Sequence, residues 1–175
     1  ATGVTTFRLK HAIDTGDILL QSSIPILPED NMGTMYYKLM DLGAALLIQT
    51  IDGLLNNSLI PQAQILTEEQ KHAPKIFKED CQINWKRNAL EIHNQIRGLA
   101  PIPTAFTYIN NKSLKIFASS YELHVIDKEP GSPETDGKTY LRFACNDGWI
   151  YVQDVQLEGK KKMDIASFLR GFQLT

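Results

Sequence analysis

The sequence lacks the features that mark disulfide-rich, metal-binding and membrane-spanning proteins. Its 175 residues include only two cysteines, Cys81 and Cys145, which form no CxxC spacing and have no histidine cluster around them. Neither a disulfide framework nor a metal site is therefore predicted, and two free thiols suit a reducing cytoplasm. No apolar run approaches the roughly 18–20 residues of a membrane span, so no membrane partner is expected.

Motifs of phosphate-binding and nucleophilic enzymes are missing as well. The chain has no Gly-rich phosphate loop and no Ser-His-Asp or Cys-His pattern. It begins at Ala1 and runs at once into strand-like residues. We therefore expect that these residues include no signal peptide and that they are a piece of a longer chain.

The composition is that of an ordinary globular protein, but the charge is uneven. Hydrophobic residues make up 43% and charged residues 22%, with a net charge of −2. Residues 1–84 hold 6 Lys and Arg against 10 Asp and Glu, while residues 85–175 hold 12 against 10. The net charges of −4 and +2 indicate that the second half could face a polyanion.

The first stretch that suggests a site is 2–21, which reads as strand, tight loop and strand. Val4 to Leu9 are mostly apolar or β-branched, and Ile18 to Leu20 resume the pattern after a break. Gly16 is predicted to allow a turn where a Cβ would clash. Asp14 and Asp17 place two carboxylates in this loop, and simple turn chemistry is the alternative explanation for them.

The rest of the chain predicts a helix, a connector and a mainly β region. A helix is expected from about Met35 to Leu55 with Thr34 as N-cap, and another from about Arg87 to Leu99 with Asn84 as cap. Residues 1–57, 58–84 and 85–175 are thus predicted as a first domain, a linker and a second domain. The strands predicted from 105 onward, with a short closing helix over 163–170, favour a five-stranded oligonucleotide-binding (OB)-like Greek-key barrel, with a small sandwich as the alternative.

Four motifs in order resemble the folate-dependent formyltransferases, and among them most closely those acting on methionyl-tRNA. They are TGVT followed by DTGDILL over 2–20, GT-x-x-x-KL over 33–39, HAPKIFKED over 72–80, and INW with IRG and PIP between 83 and 103. One departure is visible, because Thr104 stands where the family usually has glycine after the second proline. The resemblance implies that residues 1–57 are the end of a Rossmann-like α/β catalytic domain.

The resemblance also implies an activity and a site. The intact enzyme would transfer a formyl group from formyl-tetrahydrofolate to the amino group of initiator methionyl-tRNA, as a cytoplasmic monomer. Asp14 would be the catalytic carboxylate, acting with an Asn and a His from an upstream motif that the 175 residues do not contain. His11, Ala12 and Ile13 would line the folate pocket. The remaining histidines have no partner pattern and are predicted to be ordinary surface or core residues.

Basic residues of the second half are the candidate RNA contacts. The family has a basic turn before its last helix, similar to Gly159–Lys162 here, and holds tRNA through phosphates. The predicted tRNA-binding residues are Arg97, Lys112, Lys115, Lys160, Lys161 and Lys162. A solvated lysine face is the alternative. Aromatic residues on the strands could stack on bases, although at this spacing they are more often core.

Two other functions fit the same residues. A relative that formylates an amino sugar nucleotide shares the Asp loop and a similar C-terminal domain. A barrel that binds RNA without catalysis is the second alternative. An upstream Asn-x-His-x-Ser-Leu-Leu-Pro string in the complete gene would exclude the binding-only module.

Overall fold

The computed structural model describes residues 1–11, 15–65 and 73–174, which form two compact units. The first consists of Ala1–Asp30 and Thr34–Pro74, and the second of Asn31–Gly33 and Lys75–Thr175. No helix in the described residues is long and apolar enough to cross a membrane. The predicted linker, 58–84, lies partly outside the described residues.

The first unit contains a two-stranded antiparallel sheet and one long helix. Strands β1 (Thr2–Phe7) and β2 (Ile18–Ile24) pair from Thr2 opposite Ile24 to Phe7 opposite Ile18. Helix α1 spans Met32–Leu55. The hydroxyls of Thr6 and Thr50 lie 2.8 Å apart, and the Thr50 hydroxyl also donates to the Leu46 carbonyl. The predicted strand–loop–strand arrangement and the helix that packs on it are confirmed.

The start of α1 differs from the prediction. Thr34 lies inside the helix, and its hydroxyl donates to the buried Asp30 carboxylate at 3.0 Å. Asp30 also accepts the Leu27 amide at 2.9 Å and Lys38 Nζ at 2.6 Å. These donors, Lys38 first, lower the pKa of Asp30 to about 2. Asp30 is therefore the anchor of the turn before α1, in place of the predicted Thr34 cap.

The second unit is built on a six-stranded antiparallel sheet. Its strands are β3 (Ala105–Ile109), β4 (Lys112–Leu123), β5 (Pro133–Thr135), β6 (Leu141–Cys145), β7 (Gly148–Leu157) and β8 (Met163–Asp164). They pair in the order β3-β4-β7-β6-β5, and β8 pairs with β7. Helix α2 (Ala89–Leu99), the short helix α3 (Ile165–Leu169) and a 3₁₀ turn (Glu79–Cys81) complete it.

The sheet is an open half-barrel, and the closed OB-like barrel expected from the sequence is not confirmed. In the described residues, β3 and β5 are the two ends of the strand order, and they do not pair with each other. The outer edge of β3 is occupied instead, because the Ile83 amide donates to the Phe106 carbonyl at 2.9 Å. Register shifts between Ile116 and Ser119 allow the long β4 to bend over the core.

Apolar residues of α2 and of the inner sheet face form the core of this unit. Ile92 and Ile96 of α2 are fully buried, as are Leu114, Ile116, Leu141 and Ile150 of the strands. Helix α2 begins at Ala89 with a capping box between Asn88 and Glu91. The predicted cap, Asn84, was wrong, because its side chain accepts the Lys86 amide in the turn before.

Local turn chemistry was predicted better than the ends of the strands. Asn110 and Asn111, expected to form a hairpin turn, both have positive φ, at 47° and 60°. The region 127–138, expected to be a loop, contains β5. The closing helix is preceded by β8 and capped by Asp164, whose carboxylate accepts the Ser167 amide.

Candidate functional site

The loop between β1 and β2 is held at both ends by backbone hydrogen bonds. The Arg8 amide donates to the Asp17 carbonyl at 3.0 Å, and Ile18 exchanges two hydrogen bonds with Gln62. Gln64 Nε2 donates to the Gly16 carbonyl at 2.6 Å. The second end of the loop is thus tied to a later segment of the same unit.

Gly16 is required where the loop closes. A Cβ at this position would lie 1.7 Å from the Arg8 carbonyl oxygen, so the backbones pass too closely for any side chain. This confirms the role predicted for Gly16. Asp17 has a structural role, since its carboxylate pairs with Lys10 Nζ at 2.8 Å.

Three of the predicted site residues lie outside the described residues. They are Asp14, Ala12 and Ile13, the catalytic carboxylate and two of the folate-pocket residues. The third folate-pocket residue, His11, is exposed, and so is Thr15 on the other side. Approach from solvent is therefore open at both described neighbours of this segment.

The lysines predicted to bind tRNA lie mostly together at one end of the half-barrel. Lys115 on β4 pairs in register with Gln156 on β7, and Gln156 Nε2 donates to the Lys160 carbonyl at 2.9 Å. Lys112 opens β4, and Lys161 continues the turn after β7. We call Lys112, Lys115, Lys160, Lys161 and Lys162 the lysine edge. Arg97, the sixth predicted contact, lies instead in the last turn of α2, where Nε donates to Asn94 Oδ1 at 2.8 Å.

Members of the lysine edge differ in how much charge they offer. Lys162 Nζ lies 2.9 Å from an Asp154 carboxylate oxygen and 4.9 Å from the centre of the Phe117 ring. In the described residues, Lys112, Lys115, Lys160 and Lys161 form no ion pair. Their exposed ammonium groups remain available for a polyanion.

Two other cations of the second unit share one carboxylate in a cluster that the sequence did not reveal. Glu134 accepts Lys128 Nζ at 2.7 Å and Arg142 Nε at 3.0 Å. These hydrogen bonds, first from Lys128 and then from Arg142, lower the pKa of Glu134. The Arg142 guanidinium also lies 4.1 Å from the centre of a Trp149 ring and donates to the Tyr151 hydroxyl. One carboxylate is thus shared by two cations, so the cluster keeps a net charge of +1, but neither cation lacks a partner as the four lysines do.

Some aromatic residues of the strands lie in the core and others are exposed, the two possibilities considered from the sequence. Phe143 is buried and stacks on Trp85 with 4.6 Å between ring centres, so it belongs to the core. Tyr108 and Tyr121 are exposed. Tyr121 lies beside His93, whose Nδ1 is 3.0 Å from the Ser119 hydroxyl and whose pKa is lowered by burial and then by Arg97. His93 is thus a satisfied structural residue.

The described residues contain no group of three His, Cys, Asp or Glu side chains arranged to hold a metal ion. Cys81 and Cys145 are free and buried. Burial is the first cause of the raised pKa of both thiols, which makes them poor nucleophiles near neutral pH.

Comparison with known proteins identifies the family. The model described as "Formyl transferase, C-terminal domain" matches residues 75–173, and the one described as "Formyl transferase" matches residues 1–51. The chain belongs to the formyl transferase family. Its order of N- and C-terminal domain matches is the order that the sequence motifs predicted.

Proteins similar to this chain are named for different substrates. A methionyl-tRNA formyltransferase of Phocaeicola vulgatus is 42% identical over 98% of this chain and 56% of its own length. The chain thus spans about half the length of this curated relative. The structure of WlaRD, a sugar 3N-formyl transferase, is 28% identical, covers 91% of this chain and 56% of its own, and has a TM-score of 0.65. HypX from Aquifex aeolicus, 16% identical, covers 99% of this chain and 31% of its own with a TM-score of 0.68, a likeness of fold.

Proposed function

We propose that this chain is part of an enzyme that transfers a formyl group from formyl-tetrahydrofolate to the amino group of initiator methionyl-tRNA. The observation that carries the proposal is the 42% identity with a methionyl-tRNA formyltransferase over 98% of the chain. The lysine edge supports an RNA substrate, because four of its five lysines are exposed and form no ion pair in the described residues, which suits a phosphate backbone.

The loop between β1 and β2 is the proposed contribution to chemistry. Formyl-tetrahydrofolate, when bound, supplies the formyl group, and His11, Ala12 and Ile13 are the residues proposed to line its pocket. The described part of the loop fits this role in two respects, since hydrogen bonds hold both of its ends and since His11 and Thr15 are exposed to solvent. Asp14 is proposed to hold an upstream histidine in its protonated form and to order a water that removes the amine proton.

The second unit is the proposed holder of tRNA. We propose that Arg97 and the lysine edge contact phosphates and that the half-barrel derives from an OB-like barrel. Domain boundaries of 1–57, 58–84 and 85–175 are proposed, and the division of the units after Pro74 supports a junction inside 58–84. The intact enzyme is proposed to be a cytoplasmic monomer.

A sugar nucleotide is the second candidate acceptor. It is favoured by the 28% identity with a sugar 3N-formyl transferase over 91% of the chain. The two candidates differ in size and charge, since a tRNA presents a long phosphate backbone and a sugar nucleotide presents one diphosphate. An extended lysine edge favours the tRNA.

The test is an acceptor comparison with the full-length protein that contains this chain. It receives formyl-tetrahydrofolate with either methionyl-tRNA or a dTDP-linked amino sugar, and formylated product is measured. We expect product from methionyl-tRNA and none above background from the sugar. The reverse preference would replace the proposed acceptor. The 175-residue chain alone is expected to give no turnover with either acceptor, because it has no Asn-x-His motif preceding Asp14.

A further inference from the structure

A cavity of about 330 Å³, which we call the Phe77 cavity, opens beside the lysine edge, within the second unit. The segment before α2 forms one wall with Ile76, Phe77 and Lys78, and strands β3 and β4 form the other with Phe106, Ser113 and Lys115. Its size is near the low end of pockets that hold small molecules, roughly 300–1,000 Å³. The cavity is therefore suited to a single flat group and is too small for a helix.

Phe77 is exposed although its backbone is fixed. It is 57% exposed, yet its amide donates to Asp80 Oδ2 at 2.8 Å and its carbonyl accepts the Cys81 thiol. The 3₁₀ turn that follows is tied to α2, because Gln95 Nε2 donates to the Asp80 carbonyl at 3.0 Å. An aromatic ring presented from a fixed backbone is preorganised for stacking, since binding costs little further ordering.

Positive charge surrounds the ring and its cavity. Lys75 Nζ lies 5.5 Å from the centre of the Phe77 ring, and Lys78 and Lys115 line the cavity itself. Two acids of this region bind backbone amides, since Asp80 accepts from Phe77 and Glu158 accepts from Ser113, while Glu79 is exposed beside Asp80. The cavity thus joins an apolar aromatic surface to several ammonium groups, the combination that recognises a base with its phosphate.

The cavity is continuous with the lysine edge. Lys115 lines it and also lines a neighbouring cavity of about 210 Å³ formed with Gln156 and Gly159. An RNA whose backbone follows the lysine edge would therefore pass the mouth of the Phe77 cavity.

We propose that the Phe77 cavity receives one unpaired nucleotide of the bound RNA, with its base on the Phe77 ring and its phosphate beside Lys115 or Lys78. The inference rests on the proposed function, because it takes RNA as the ligand. It adds a contact that reads single-strandedness, whereas the lysine edge contacts phosphates of any RNA.

The test measures binding of the chain to two RNA hairpins that differ only in a four-nucleotide single-stranded 3′ tail. Wild type is compared with Phe77→Leu, which keeps an apolar side chain but removes the ring, and with Phe77→Trp, which keeps a ring. Tyr37→Leu, at an exposed tyrosine of α1 in the first unit, is the matched control.

We expect wild type and Phe77→Trp to bind the tailed hairpin more tightly than the blunt one. Phe77→Leu should lose roughly ten- to hundredfold in affinity for the tailed hairpin, the scale of one lost base stack, with no change for the blunt one. The added tryptophan of Phe77→Trp should be quenched by the tailed RNA alone. Tyr37→Leu should match wild type on both RNAs.

Two results would overturn the inference, and they are distinct. If Phe77→Leu kept the wild-type preference for the tailed hairpin, or lost affinity for both hairpins equally, the nucleotide site would be wrong. RNA binding by the chain would not be contradicted by either result. If wild type bound neither hairpin, RNA binding by this chain would fail, and the nucleotide site with it.

Discussion

The lysine edge allows the RNA-binding proposal to be tested in numbers. Replacing Lys160 and Lys161 together by Ala removes two exposed charges that form no ion pair in the described residues. Each lost phosphate contact reduces the steepness of log K against log salt by about 0.7 for a single strand and by about 0.9 for a B-form duplex. The double variant should therefore lose about 1.4–1.8 units of slope, and its affinity at low salt should fall about ten- to a hundredfold.

The structure also ranks the lysines. Adding Lys162→Ala should cost less than one further full contact, because Asp154 already holds its ammonium at 2.9 Å. Conversely, Asp154→Asn should release Lys162 and raise both affinity and slope. Lys128→Ala is the matched control, since it removes one charge from a lysine already bound by Glu134 and should change neither quantity.

The assay is filter binding of tRNA at salt concentrations from 50 to 200 mM. A loss of about 1.8 units of slope means that the affinity gap between wild type and the double variant shrinks about tenfold over this fourfold range of salt. Superimposed lines for wild type and the double variant would show that these lysines form only a solvated turn.

Three further predictions concern the folded chain itself. The pKa of Asp30 is lowered to about 2, so its contribution to stability is present above about pH 4 and is lost as the pH falls toward 2. In denaturant unfolding, Asp30→Asn should therefore weaken the loss of stability between these pH values. An unchanged loss of stability in this pH range would contradict the prediction. Gly16→Ala should destabilise the first unit by about a few kcal/mol or abolish its folding, the general scale of severe steric substitutions. Gly98→Ala in α2, where a Cβ meets nothing within 4 Å, should instead stabilise the second unit by up to about 1 kcal/mol. Limited proteolysis should cut first between about Leu66 and Glu79 or in the region Asp127–Lys138, and early cleavage inside Leu39–Leu55 would refute the proposed division into domains.

Features that depend on neighbouring residues were predictable from the sequence. The Asn110-Asn111 turn and the two strands that it joins follow from local turn chemistry and strand propensity. Gly16 is of the same kind, because a tight loop between two apolar runs needs a close approach of backbones.

Features that depend on distant residues were not. Asp30 resembles any acidic residue after a proline, and only the fold shows that Lys38, two helical turns on, reaches it. Closure of the half-barrel depends on which strands meet, and strand number alone does not determine that pairing. The pairing of Lys128 and Arg142 with one carboxylate likewise requires Glu134 to lie between them.

The Phe77 cavity illustrates the same limit within a motif that the sequence did identify. The HAPKIFKED motif over 72–80 was recognised as one of the four family motifs, inside the predicted linker. The motif does not predict a cavity, because the second wall comes from β3 and β4, more than twenty residues away. The fixed backbone of Phe77 depends on Asp80 and Cys81, whose side chains carry no recognisable turn motif.

The most direct test joins the proposed chemistry of the first unit to the proposed RNA binding of the second. In the full-length protein, Asp14→Asn is compared with Asp17→Asn, a loop carboxylate that pairs with Lys10. We expect Asp14→Asn to lower the rate of formyl transfer to methionyl-tRNA about a hundredfold or more, with the tRNA Kd unchanged and Asp17→Asn close to wild type. Wild-type turnover by Asp14→Asn would contradict the catalytic assignment of this loop.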